Sequence, residues 1–76
     1  MRILKIDEHF YEVRHGLGSG FDYTTPIYSL SEAESLALVI MTDRKSVGSW
    51  VEVFEDGNLI KRWSKIEKDV WKEWPV

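Results

Sequence analysis

Three glycines at alternate positions, in Gly16-Leu17-Gly18-Ser19-Gly20, are the first residues of this chain whose spacing could do chemistry. The backbone N–H groups of such a loop can cradle a phosphate when the loop opens directly into a helix N-terminus. Here eight residues separate Gly20 from Ser29, where the first helix signal begins, and no lysine follows the glycines. A mobile connection is therefore expected, not a ligand loop. His9 and His15, with Asp7, Glu8 and Glu12 nearby, could contribute to a metal site. Strand alternation scatters them, so two surface histidines are expected. The carboxylate pairs Glu32/Glu34 and Glu55/Asp56 fit a helix start and a turn, and no nucleophile sits in a recognisable elbow. Catalysis also needs a concave pocket of several hundred cubic ångströms, which a 76-residue chain builds with difficulty. No catalytic, metal or cofactor site is expected.

A second constellation lies toward the C-terminus. Lys61, Arg62, Lys65, Lys68 and Lys72 interleave with Trp63, Trp71 and Trp74. Cations and aromatic rings together can hold phosphates and stack bases. Glu67, Asp69 and Glu73 alternate with them, however, and the whole chain carries a net charge of −3. Nucleic-acid binding normally needs one basic face, so it is only the second reading. The aromatic surplus points elsewhere: four Trp, three Tyr and three Phe make 13% of the chain. Large rings serve as core volume or as anchors for a partner. Trp50, Phe54, Trp63, Trp71 and Trp74 are the candidate interaction surface.

The elements that must position these residues follow from periodicity. Ile3, Leu4 and Ile6 suggest a first strand, Asp7-Glu8 a turn, and Phe10, Tyr11 and Val13 a second strand. Residues 21–26 read as loop, and Ile27-Tyr28-Ser29-Leu30 as a brief third strand. Ser29 with Glu32, or Ser31 with Glu34, supplies a capping box, and Ser29 is preferred because Tyr28 and Ala33 then take the positions of a hydrophobic staple. Ala33, Leu36, Ala37 and Ile40 then follow the i, i+3, i+4, i+7 rule, widened by Val39 and Met41. Arg44-Lys45 suits the negative end of that helix.

Asp56-Gly57 is a type I′ turn pair between strands near 50–55 and 59–63. A regular ladder sets Phe54 opposite Leu59, Val53 opposite Ile60, Glu52 opposite Lys61 and Trp50 opposite Trp63. Val51, Val53 and Ile60 then meet the helix stripe. Trp50, Phe54, Leu59 and Trp63 form a second apolar face that needs a cover. Ser64 and Glu67 look like another capping box, with Ile66, Val70 and Trp74 at i, i+4, i+8 and Pro75 as the stop. A helix over residues 65–74, or a second chain, would supply the cover.

The run from Phe10 to Trp63 resembles a family of short bacterial proteins of unknown function. The matching features are Tyr11 and Val13, Ser29-Leu30-Ser31-Glu32-Ala33, and Asp56-Gly57-Asn58-Leu59-Ile60. The resemblance covers about two thirds of the chain and implies a fold but no activity.

The expected fold is α+β, a single domain over residues 1–76. It has a small antiparallel sheet of three to five strands in the order β-β-(β)-α-β-β-α, with one main helix on one face and a short C-terminal helix. The chain has no cysteine and no apolar run longer than the six residues 36–41, so a reducing cytoplasm and no membrane span are expected. The function expected is that of a small non-enzymatic interaction or regulatory module, of the kind found among bacterial or phage accessory proteins. Its partner would be another protein or a second copy in a homodimer.

Overall fold

The computed structural model describes residues 10–18, 20–43 and 48–76. In chain order these form β1 (Tyr11–Leu17), β2 (Gly20–Ile27), α1 (Leu30–Thr42), β3 (Trp50–Glu55), β4 (Asn58–Glu67) and β5 (Val70–Trp74). All five strands make one antiparallel sheet in the order β2-β1-β3-β4-β5, with α1 on one side of it. The α+β class and the five-stranded antiparallel sheet agree with the sequence reading. The detailed order does not.

Four elements differ from expectation. The glycine-rich stretch is not a loose connection. Leu17 pairs with Gly20 to close a tight hairpin, and Gly18 takes the left-handed φ of 66° that the turn requires. Residues 21–26, expected as loop, are strand, because Phe21, Tyr23 and Thr25 alternate with Asp22 and Thr24 and are strong β-formers. The proposed third strand vanishes, since Ile27 ends β2 and Leu30 already begins the helix. The C-terminal helix is also absent. Residues 65–67 extend β4, Asp69 turns the chain at φ 62°, and β5 returns alongside. A lone ten-residue helix is marginal in water, whereas this hairpin gains a full ladder on a neighbouring strand. Ser64 is therefore no N-cap; its Oγ accepts a hydrogen bond from Trp74 Nε1 at 2.6 Å. The strand expected at Ile3–Ile6, its turn at Asp7-Glu8, and Arg44-Lys45 lie outside the described residues.

The main helix starts where the capping box placed it. Ser29 Oγ accepts from Glu32 N, and Ala33 and Ala37 are fully buried. These two small residues let the helix backbone sit close over Val13, Val51 and Val53, all fully buried on the sheet below. Leu36, Ile40, Met41 and Ile60 pack around this centre. Val39, counted in the apolar stripe, instead points outward at 61% exposure. Tyr28 does not staple Ala33; its ring lies 5.5 Å from that of Phe10.

The Asp56-Gly57 turn forms as expected, with φ of 49° and 85° at its two residues. Phe10 clamps it, donating from its backbone N to Asp56 Oδ1 at 2.9 Å. Gly57→Val should lower stability by about 1 kcal/mol or more, because a β-branched residue resists positive φ. A urea midpoint unchanged from wild type would show that the turn tolerates another conformation.

Beyond the turn the register departs from the regular ladder. Phe54 faces Leu59 as expected, but Val53 then faces Lys61, Glu52 faces Arg62, Val51 faces Trp63 and Trp50 faces Ser64. Ile60 is the extra residue of a β-bulge. One inserted residue sends every later side chain of the strand to the opposite face. Lys61 consequently lies on the helix side, where its Nζ meets Glu34 Oε1 at 2.8 Å.

That hydrogen bond to Glu34 holds the Lys61 pKa above its ordinary value. The pair therefore adds stability that is fully present below the usual lysine range and is lost as pH rises through the raised value. Both partners are about one-third exposed or more, so the contribution is only about 0.5 kcal/mol. Glu34→Gln should cost that much at neutral pH and nothing once Lys61 is deprotonated. Parallel urea titrations check this; a difference that persists in alkali would assign the loss to packing. Tyr11 acts in the same direction, its phenol pushed up by burial and by the nearby Glu55 carboxylate.

Candidate interaction face

Because α1 lies on one side of the sheet, the side chains alternating away from it form a second face. Reading the paired strands across, one row of this face runs Tyr23, Arg14, Glu52, Arg62 and Trp74. The next row runs Phe21, Gly16, Trp50, Ser64 and Lys72. On the other side of the first row stand Glu12, Phe54 and Leu59. Among the described residues no helix or strand lies over this face. Phe21 and Tyr23 are 49% and 62% exposed, and Trp50, Phe54 and Trp74 are half-buried.

Contacts within the face hold its rings in place. The Phe21 ring lies 6.1 Å from that of Trp50, over Gly16, whose missing side chain leaves room for them. Trp50 Nε1 donates to Gly18 O at 2.9 Å, so the hairpin turn anchors the indole. Arg14 lies 4.1 Å from the Phe54 ring centroid and 5.3 Å from that of Phe21, and it pairs with Glu12. Lys72 stands 4.1 Å over Trp74. Glu52 and Arg62 are directly opposite each other on neighbouring strands, yet neither forms an ion pair among the described residues. A shallow hollow of about 280 Å³ lies between Trp50, Glu52, Arg62, Trp63, Ser64 and Trp74.

Of the five residues singled out in the sequence, Trp50, Phe54 and Trp74 share this face. Trp63 and Trp71 do not. The bulge turns Trp63 to the helix side opposite Val51, and Trp71 pairs with Lys65 on that same side. Both pack at the margin of the core. Sequence reasoning missed Arg14, Phe21 and Tyr23, and counted Arg62 only in the basic-aromatic constellation; the alternation in Phe21-Asp22-Tyr23 was the available signal for two of them.

On the helix side a larger hollow of about 510 Å³ lies between Leu38, Met41 and Thr42 of α1 and Trp63, Asp69 and Trp71 of the last hairpin. The hollow falls in the volume range of small-ligand pockets but is open to solvent. Among the described residues Asp69 is the one titratable side chain in its lining and Thr42 the one hydroxyl. Trp71 Nε1 is buried there without an acceptor among the described residues. His15 stands on β1 opposite Val51 and Asp22, while His9 lies outside the described residues. Among the described residues no three potential metal ligands gather.

No protein-family model, curated protein or solved structure matches the chain. The face must be read from its own chemistry. No helix among the described residues is long and apolar enough to cross a membrane.

Proposed function

We propose that the protein is a small non-enzymatic interaction module that works in a reducing compartment and binds another protein through the sheet face opposite α1. The observation that carries this reading is the composition of that face: five aromatic rings and two arginines on a surface that no described element covers. Trp, Tyr and Arg are the residues that most often dominate binding energy between proteins. The rings are also pre-positioned by contacts such as Trp50 to Gly18, which lowers the entropy lost on docking.

A single-stranded nucleic acid would use rings and cations too. Glu52 at the centre of the face and Glu12 beside it argue against a phosphate backbone there. Three cations against two carboxylates is a weak positive field.

A photoreactive residue in place of Trp74, on the face, should form adducts with protein in cell extract. The same residue in place of Val39, on the outer side of α1, should not. Adducts destroyed by nuclease would establish the nucleic-acid reading, and equal labelling from both positions would remove the face from the function.

A further inference from the structure

We infer that the occupant of this face is a second copy of the same chain, packed sheet against sheet about a two-fold axis running along the strands between β3 and β4. The inference rests on the protein-binding reading above and names the partner.

The charge pattern leads to this axis. Glu52 on β3 and Arg62 on β4 stand side by side in the same row, with opposite charge and no ion partner among the described residues. A two-fold axis between those strands brings Glu52 over Arg62 of the second copy, and Arg62 over its Glu52. The same operation treats the neighbouring positions equally well. Arg14 comes over Trp74 of the second copy, a cation over an indole. Phe54 comes over Leu59, apolar on apolar, and Trp50 over Ser64. An isologous interface requires such self-complementarity of one patch. An axis through β3 itself would instead press Glu52 against Glu52.

The two kinds of contact divide the work. Aromatic area supplies most of the affinity, and the two crossed ion pairs fix register, since a one-strand slip would oppose like charges. Face-to-face sheets pack about 10 Å apart with strands roughly aligned, which long Arg, Glu and Trp side chains can span. Tyr23, on the edge strand β2, falls outside the overlap.

Light scattering on the intact chain should give about twice the 8.9 kDa chain mass. Glu52→Arg and Arg62→Glu lie on the surface and should leave circular dichroism unchanged. Each alone should give a monomer by creating two like-charge contacts. The double variant should be a dimer again, and so should an equimolar mixture of the two single variants, because each repairs the other across the axis. A wild-type chain that stays monomeric up to about 1 mM overturns the inference. So does a dimer indifferent to both reversals, or single variants whose mixture stays monomeric. The protein-binding reading is separable: a monomer that still yields protein adducts of another mass at position 74 loses this inference but keeps that reading.

Discussion

Gly16→Val is expected to lower the unfolding free energy by about 3 kcal/mol or more, a large share of what a 76-residue domain possesses. Gly16 lies between Phe21 on β2 and Trp50 on β3. A Cβ there would sit 2.0 Å from Gly20 O and 2.9 Å from Phe21 Cα, both backbone atoms that cannot swing aside. The β1–β2 hairpin would have to separate at its closed end, displacing Phe21 and freeing the Trp50 indole. Gly16→Ala should already be strongly destabilising, although alanine normally gains stability by restricting the unfolded chain. Gly20 is the internal control, since nothing lies within 4 Å of a Cβ built there. Urea midpoints of Gly16→Ala and Gly20→Ala should differ widely. Equal midpoints would mean that the hairpin is not closed as described.

Val53→Ala should cost about 2.5 kcal/mol. Val53 is fully buried at the middle of the sheet, between Val13 on β1 and Lys61 on β4, beneath the two buried alanines of α1. Removing two methyl groups forfeits about 1.6 kcal/mol of transfer free energy. The cavity left behind adds about 1 kcal/mol, because both layers around it are held by hydrogen-bonded backbone. Val39→Ala, on the outer side of α1, should change stability by less than about 0.5 kcal/mol. If the two variants unfold at the same urea concentration, the helix does not dock as described.

Those contrasts mark what the sequence made legible. The helix and its cap at Ser29 could be read because the cap, the Glu at N3 and the alanine spacing are all local signals. The Asp56-Gly57 turn could be read because few residue pairs accept positive φ twice. The faces beyond the turn could not. Assigning them required knowing that Ile60 is inserted without a partner, and a bulge is decided by packing across strands, not by neighbours in the chain. The tail failed for a related reason: Ile66, Val70 and Trp74 fit a helical period as well as they fit two short strands with a bulge at Ile66. With both patterns open, the partner strand settled the outcome. The aromatic face was therefore anticipated in kind, as rings seeking a cover, but with the wrong membership.

The bulge at Ile60 also has an evolutionary consequence. Substituting residue 60 changes one side chain, and deleting it would close the bulge: Lys61 would follow Leu59 directly and still stand opposite Val53, with Arg62 opposite Glu52 and Trp63 opposite Val51. What would be lost is the packing of Ile60 against the core. Residue 60 is thus the one position in that stretch of β4 that a lineage could lose without changing which later side chains meet the helix. Descendants of this chain should shorten by one residue there more readily than anywhere between Lys61 and Trp63.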